Sequence, residues 1–352
     1  MKPFRFERAT DAEAAVTALG SSPRARYLGG GTNLVDLMKL GVEQPDLLVD
    51  VTALPHTAVE HTSAGGLLIG AAVRNSDLAA DHAVRTRYPA LSQALLAGAS
   101  GQLRNAATVG GNLLQRTRCP YFQDPGKPCN KREPGTGCPA REGAHRELAV
   151  LGASPSCVAT HPSDMAVALT ALDARVHVRS RAGTRTVPVA GLHRLPGDSP
   201  EHDTVLEHGD LITHVELGAV PEAADSVYRK VRDRASYSFA LVSVAAALRV
   251  DGGFVRRVRL AFGGVAARPW RARTAEERLL GAPAGAESFA RAVDAELAPA
   301  EPLRDNAFKV PLLRSLTVRT LAELAERAEP SGRAGLRPGD DGPHPEGPWE
   351  TP

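Results

Sequence analysis

All four cysteines of this chain lie between residues 119 and 157, although the chain has 352 residues. They are Cys119, Cys129, Cys138 and Cys157. Glycine and proline dominate this stretch, and no helical or strand periodicity runs through it, so the sequence predicts no regular core there. A disulfide scaffold is not expected in a chain long enough to bury an ample core. Four gathered thiols therefore indicate a metal or cluster site.

The spacing of the cysteines bears on which metal they hold. Zinc sites usually pair cysteines about two to four residues apart, and every gap in this set is longer. Longer gaps favour an iron–sulfur cluster wrapped by a loop, and a tetrahedral zinc held by the same four thiolates stays as the alternative. His145 and His161 lie near the cysteines and could be ligands, but surface histidines in a polar loop are the simpler interpretation.

A run of three glycines is the first candidate for cofactor binding. A strand is predicted over 25–28, Gly29, Gly30 and Gly31 follow it, and a helix is predicted over 32–40. Successive glycines let backbone N–H groups converge on an anion such as a pyrophosphate, next to the positive end of a helix. The spacing is neither Gly-x-Gly-x-x-Gly nor a Walker A loop. Asp50 lies near the distance at which a Rossmann acid binds ribose, so that interpretation stays open beside a purely structural turn.

A second glycine-containing segment follows at 102–112. It contains Thr108, the pair Gly110 and Gly111, and Asn112. One such loop is usually structural, but two in one domain can hold both ends of a long dinucleotide. Further along, Ser163 is a predicted N-cap for a helix over 164–172. The apolar stretches 240–250 and 255–262 flank an Asp-Gly-Gly turn and predict a hairpin.

The charge balance and the N-terminus exclude several function classes. Lys and Arg number 42 against 40 Asp and Glu, a net charge of +2, so no strong field points to a nucleic-acid partner. No apolar run reaches the roughly 18 residues of a membrane span, and no signal peptide is evident. The chain's own sequence thus predicts a cytoplasmic location. The basic segment 229–234 is typical of a solvated face, and no Ser-His-Asp spacing marks catalytic residues.

Taken together, these stretches resemble the FAD-binding subunits of the xanthine dehydrogenase and carbon monoxide dehydrogenase family of molybdenum hydroxylases. The resemblance covers 1–327. The matching motifs are Leu-Gly-Gly-Gly-Thr-Asn-Leu at 28–34 with Met-Lys at 38–39, Arg-Asn-x-Ala-Thr-x-Gly-Gly-Asn at 104–112, Pro-Ser-Asp at 162–164 and Tyr-Arg-Lys at 228–230. The cysteine segment resembles the flavin subunit of periplasmic aldehyde oxidoreductases, a branch in which four cysteines bind a [4Fe–4S] cluster.

The resemblance implies a mixed α/β (α+β) fold. Residues 1–220 would form a vanillyl-alcohol-oxidase (PCMH-type) FAD-binding domain of two subdomains, with an iron–sulfur insert at 118–157. Residues 225–327 would form a CO dehydrogenase flavoprotein C-terminal domain with a three-stranded sheet and helices. The Pro- and Gly-rich segment 330–352 is predicted to be a disordered tail.

The resemblance also assigns residues to two cofactors. The FAD contacts that it implies are Arg26, Tyr27, Leu28, Gly29, Gly30, Gly31, Thr32, Asn33, Leu34, Thr108, Gly110, Gly111, Asn112, Asp164, Ile212 and Lys230. The [4Fe–4S] ligands would be Cys119, Cys129, Cys138 and Cys157. Lys230 would approach the isoalloxazine ring, where a cation can stabilise the anionic reduced flavin. No residue of this chain is assigned to the substrate chemistry.

The implied function is electron transfer within a heterotrimeric aldehyde oxidoreductase. A large subunit with a molybdenum cofactor would oxidise the aldehyde, a small [2Fe–2S] subunit would relay electrons, and FAD would pass them to an external acceptor. Two alternatives stay open, a free-standing flavin oxidoreductase of the same fold and a non-enzymatic metal-cluster scaffold subunit. The complex would be periplasmic if a partner subunit carried the export signal.

Overall fold

The computed structural model describes residues 1–328, and the tail predicted over 330–352 lies outside the described residues. Three sheets with helices packed against them confirm the predicted α/β fold class. Within 1–328, no helix is both long and apolar enough to span a bilayer.

The chain begins with a small parallel unit. Its elements are β1 (Arg5–Arg8), α1 (Ala12–Gly20), β2 (Ala25–Leu28), α2 (Leu34–Lys39) and β3 (Leu47–Asp50). β3 lies between the other two strands and runs parallel to both. All of its residues are buried, as expected for the central strand of a parallel sheet. This arrangement places the three-glycine turn at the carboxyl end of β2, next to β3.

The second unit is an antiparallel sheet covered by short helices. Its strands, in the spatial order β4-β5-β8-β6-β7, are β4 (Val59–His61), β5 (Leu67–Gly70), β6 (Arg175–Ser180), β7 (Gly183–Pro188) and β8 (Leu211–Leu217). The helices are α3 (Asn75–Ala80), α4 (His82–Arg87), α5 (Pro89–Ala97), α6 (Gly101–Ala106), α7 (Val109–Leu113), α8 (Pro120–Gln123), α9 (Asp164–Ala171) and α10 (Val189–Leu192). The chain leaves the sheet after β5 and returns at β6, and the excursion carries the second glycine turn and the cysteines.

The third unit is a sheet backed by helices. Its elements are β9 (Ser226–Val231), β10 (Val242–Asp251), β11 (Phe254–Gly263), β12 (Trp270–Arg271), α11 (Arg273–Leu279), α12 (Ala286–Leu297) and α13 (Lys309–Ala328). β10 and β11 form the predicted hairpin, and β9 pairs with the other edge of β10. The sheet has a fourth strand beyond the expected three, because Trp270 and Arg271 pair with the end of β11.

The insert, 118–157, contacts both the N-terminal part of the chain and the third unit. Within it, the described regular structure is α8 and a 3₁₀ turn at Pro139–Arg141. The insert nevertheless has an apolar cluster, in which Phe122, Ala140 and Leu148 pack with Cys119 and Cys157. The sequence predicts no regular core for this stretch, and the cluster adds to that prediction an irregular core, because the loop path and not a periodic pattern brings the apolar residues together.

Candidate functional site

The three-glycine turn joins β2 to α2 and contacts the second glycine segment directly. Gly31 has φ +74°, a backbone conformation that favours glycine. A Cβ on Gly30 would overlap the carbonyl oxygen of Ala106, and a Cβ on Gly29 would lie 2.8 Å from Thr108 Oγ1. The glycines are thus needed for the packing of one turn on the other, in addition to any role toward an anion.

The two turns differ in which backbone donors they leave free. In the second turn, the N–H of Val109 donates to Val73 O, that of Gly110 to Ala71 O and that of Gly111 to Thr108 Oγ1. Over the described range, the N–H groups of 30–33 have no protein acceptor. Only the first turn therefore offers a row of free donors to an anionic ligand, while the second shapes the site.

Two cavities meet at these turns. The glycine-turn cavity, of about 470 Å³, is lined by both turns and by 201–212. The Lys230 cavity, of about 590 Å³, extends from the turns to Asp164 and Lys230. The two cavities share Gly31, Thr32, Asn33 and Gly111. Each volume is typical of a ligand pocket, so their junction can hold one elongated ligand across the turns.

Most of the predicted cofactor residues line this joined cleft. Those in the glycine-turn cavity are Arg26, Tyr27, Gly29, Gly30, Gly31, Thr32, Asn33, Leu34, Thr108, Gly110, Gly111 and Ile212. Asn112, Asp164 and Lys230 line the Lys230 cavity. Leu28 is the one predicted residue that lines neither cavity.

A buried ion pair lies at the far end of the Lys230 cavity. Lys230 Nζ is 2.7 Å from Asp164 Oδ2, and the Tyr228 hydroxyl donates to Asp164 Oδ1 at 2.5 Å. Ser163 caps α9 as predicted, accepting from the Ala166 N–H at 3.0 Å. The prediction of a solvated basic face is wrong for Lys230, whose side chain is 4% exposed. Asp164 balances its charge, so the pair presents no net positive charge to the cavity.

Tyr228 is a site residue that sequence reasoning left out. Burial, reinforced by the carboxylate of Asp164, raises the pKa of Tyr228 well above its ordinary value. The phenol therefore stays protonated and donates to Asp164. Tyr228 and Lys230 are two residues apart on β9, so they point to one face of the sheet, and this spacing was the available signal.

Asp50 does not take part in the cleft. Its carboxylate accepts from the Thr52 hydroxyl at 2.6 Å and the Thr52 N–H at 2.9 Å, and Arg8 Nε lies 3.2 Å away. These contacts fix the end of β3. The interpretation of Asp50 as a Rossmann-type ribose acid is therefore wrong, since its carboxylate is already bound by Thr52 and Arg8 at the end of β3.

The four thiols line one small cavity inside the insert, of about 10 Å³. Cys119 and Cys157 are buried, Cys129 and Cys138 are half-buried, and all four are free. Burial raises the pKa of the Cys119 thiol to about 11 and also raises the pKa values of Cys138 and Cys157. Across 1–328, no three His, Cys, Asp or Glu side chains are arranged to hold a metal ion.

Side chains that donate to backbone carbonyls hold the insert's path. Arg132 Nη1 donates to Tyr121 O at 2.5 Å and to Phe122 O at 2.7 Å. Asn130 Nδ2 donates to Ser156 O at 3.0 Å, and its Oδ1 accepts from the Gly137 N–H at 2.7 Å. These contacts fix the path of the loop that carries the cysteines.

Neither histidine near the cysteines is exposed, contrary to the surface interpretation: His145 is buried and His161 is half-buried. His145 is 2% exposed, lies 3.2 Å from Ala140 O and accepts from the Asp305 N–H at 3.0 Å. His161 packs against the ring of His193, with centroids 4.1 Å apart. Burial lowers the pKa values of His161 and His193, so both rings are neutral.

Comparison with known families assigns both halves of the chain. Residues 2–220 match the family described as "FAD binding domain in molybdopterin dehydrogenase". The chain belongs to the FAD-binding subunits of the molybdenum hydroxylases. Residues 226–324 match the "CO dehydrogenase flavoprotein C-terminal domain". FAD is therefore the cofactor of this FAD-binding subunit, and its activity class is oxidoreductase.

Relatives of known name span nearly its full length. The aldehyde oxidoreductase FAD-binding subunit PaoB of Escherichia coli K12 is 51% identical over 331 residues, which is 93% of this chain and 100% of PaoB. The glyceraldehyde dehydrogenase medium chain of Sulfolobus acidocaldarius is 27% identical, over 92% of this chain and 98% of the relative. The predicted resemblance to the aldehyde oxidoreductase branch of this family is confirmed.

Solved structures share the fold. A chain of carbon monoxide dehydrogenase from Hydrogenophaga pseudoflava has a TM-score of 0.72 and 24% identity, with coverage of 93% of this chain and 99% of that one. A chain of quinoline 2-oxidoreductase from Pseudomonas putida 86 has a TM-score of 0.71 and 23% identity, with the same coverage. At these identities the likeness shows the fold alone.

The cleft of this FAD-binding subunit fits the cofactor. The N–H groups of 30–33 are free donors where an anionic pyrophosphate would lie. Asn33 Nδ2 is buried and has no hydrogen-bond partner within the described chain, although Asn33 lines both cavities. A buried amide without a partner is costly, so a ligand acceptor at the junction would satisfy it.

Proposed function

We propose that this FAD-binding subunit is the electron-transfer subunit of a molybdenum-dependent aldehyde oxidoreductase. The observation that carries the proposal is the joined cleft, because a redox dinucleotide needs its pyrophosphate and its reactive ring in different surroundings. The identity with PaoB over its whole length supports the choice of aldehydes as substrate class. A molybdenum-cofactor large subunit and a [2Fe–2S] small subunit complete the proposed heterotrimer.

Within this proposal the chain's own residues bind and orient the cofactor. When bound, FAD supplies single-electron uptake and two-electron delivery, which no side chain provides. The free N–H groups of 30–33 would hold the pyrophosphate, and Asn33 Nδ2 would donate to the cofactor at the junction. Lys230 and Asp164 form a rigid polar wall for the ring end, and Tyr228 holds the orientation of Asp164. In the proposed complex, bound FAD would receive electrons from the [2Fe–2S] subunit and deliver them to an external acceptor.

The four cysteines are proposed to hold a [4Fe–4S] cluster, one thiolate each. All four line the same cavity of the insert, which at about 10 Å³ has room for no more than one water, so the thiols would have to move apart around a cluster. Burial raises the pKa values of three of these thiols, and a bound metal would favour their deprotonated forms. Tetrahedral zinc with the same ligands is the alternative outcome. Export with a partner subunit that carries the signal would make the complex periplasmic.

The function is tested on the full chain with and without its two partner subunits. Acid release from the purified chain should yield about one equivalent of FAD. Aldehyde-dependent dye reduction should appear only after both partners are added. Dye reduction by the chain alone would favour a free-standing oxidoreductase instead, and a chain without flavin would favour a scaffold.

The cluster is tested separately by metal analysis. Anaerobic preparation followed by iron and acid-labile sulfide determination should give about four of each per chain. Near-stoichiometric zinc with neither iron nor sulfide would rule the cluster out and leave the flavin function intact.

A further inference from the structure

The insert reaches the wall of the glycine-turn cavity through a row of alternating charges. Lys131 belongs to the insert and is only 6% exposed. Its Nζ donates to Pro200 O and to Asp203 Oδ1, both at 2.6 Å. A buried ammonium is costly unless paired in this way. Lys131 is therefore fixed by two partners that lie outside the insert.

Asp203 extends this row to the cavity wall. Its Oδ2 accepts from Arg116 Nε at 2.7 Å, and Arg116 Nη1 donates to Glu43 Oε1 at 2.7 Å. Glu43 Oε2 lies 3.4 Å from Arg26 Nε. These four residues line the glycine-turn cavity, whereas Lys131 lies behind them. The row thus connects the insert to the surroundings of the pyrophosphate turn.

Arg116 makes two further contacts that connect the same regions. Its guanidinium lies 4.6 Å from the centroid of the Phe122 ring, which is fully buried in the insert's apolar cluster. Its backbone N–H donates to Asn33 Oδ1 at 2.9 Å. Arg116 therefore contacts the insert, Asp203, and Asn33 at the junction of the two cavities.

The negative charge of Asp203 determines whether loss of Lys131 would strengthen or weaken the binding of an anion in the glycine-turn cavity. Burial alone would raise the pKa of Asp203, but Arg116 and Lys131 hold it below its ordinary value, so the carboxylate is ionised. Without Lys131, Oδ1 of this carboxylate would lose its cation in the wall of an anion-binding cavity. The added negative potential would oppose a pyrophosphate nearby. Lys131 thus offsets negative charge in the wall of the glycine-turn cavity, although its own side chain does not line that cavity.

We propose that Lys131 is a positioning residue that couples the order of the cysteine insert to the retention of FAD. The coupling runs both ways, since a site that stabilises another is stabilised by it to the same extent. FAD in the cleft would hold the wall and the insert in place, and an ordered insert would hold FAD. The inference rests on FAD binding by this family and on no property of the proposed cluster.

The test measures the FAD dissociation constant of full-chain variants by flavin fluorescence. Lys131→Met should raise the constant at least about tenfold. Lys131→Arg keeps a cation beside Asp203 and should recover most of the affinity. Lys127→Met changes an exposed lysine of the same insert and should leave the constant unchanged. Equal constants for Lys131→Met and the wild type would overturn the proposal.

A second measurement needs no variant. FAD added to the flavin-free wild-type chain should slow amide hydrogen exchange across 118–157, and unchanged exchange there would also overturn the proposal. A wild-type chain that binds no FAD would contradict this inference and the proposed function together. Normal FAD binding by Lys131→Met would contradict this inference alone.

Discussion

The FAD cleft and the cysteine insert are neighbours, yet they are built differently. The cleft arises where β2 passes through the glycine turn into α2 and where Thr108 caps α7. Its donors are backbone N–H groups placed by regular elements. The insert has little regular structure and depends on Arg132, Asn130 and Lys131, whose side chains bond to distant carbonyls and a carboxylate.

The difference shows which kind of site a short motif can specify. Turn geometry follows from a few consecutive residues, so the glycine segments predict the cleft. The insert's shape depends on contacts between residues far apart in the sequence, so cysteine spacing indicates a ligand class but not an arrangement. Substitutions in the cleft should therefore act on flavin binding and global stability, and substitutions of the insert's cysteines should act on metal binding.

The largest expected effect is from breaking the buried ion pair in the cleft. Lys230→Met leaves the Asp164 carboxylate buried beside an apolar side chain, which should lower the free energy of unfolding by about 3–5 kcal/mol. Lys39→Met, at an exposed lysine lining the same cavity, is the control. Urea titration of both variants checks the prediction, and equal stabilities would mean that the pair contributes nothing.

The next effect concerns the contact between the two glycine turns. Gly30→Ala places a Cβ against the carbonyl of Ala106, so about 1–3 kcal/mol of stability and most of the bound FAD should be lost. Gly101→Ala, whose new Cβ meets open space, should keep its flavin. Acid-released flavin is the measurement. Full occupancy in Gly30→Ala would show that the turns need not touch.

His161 and His193 line a small cavity together with Lys131 of the insert and Asp203 of the cleft wall, and acid should weaken this boundary. The pKa of His161 is well below 6.5 in the folded chain, so below about pH 6.5 only the unfolded chain takes up the proton. Stability should therefore fall with decreasing pH by up to about 1.4 kcal/mol per pH unit for this group. His161→Leu should flatten that slope in urea titrations at several pH values, while the exposed His82→Leu should not.

The smallest effect on protein stability is expected from replacing the half-buried Cys129. Cys129→Ser conserves shape, so the metal-free chain should change by no more than about 0.5 kcal/mol. Bound iron should fall, because one thiolate is missing, while FAD stays bound because Lys131 and its partners are intact. Iron and flavin are measured on one sample. Loss of FAD along with iron would show that flavin binding depends on the metal and would contradict this prediction.

Local sequence patterns were sufficient for much of the cleft. The strand over 25–28, the glycine turn, the Ser163 cap and the β10–β11 hairpin all follow from turn chemistry, capping and periodicity. These signals work because each depends on residues within a few positions of one another. The start of α2 at Leu34, two residues later than predicted, is within the usual uncertainty of helix ends.

Only the tertiary structure decided how charges and thiols are paired. Nothing in the sequence places Lys230 beside Asp164 or Lys131 beside Asp203, because an ion pair depends on distance in space and on burial, both set by the packing of separate elements. The same reason explains the burial of His145 and the apolar cluster of the insert. The sequence determined the two glycine turns, and the fold determined which charged side chains line the cleft.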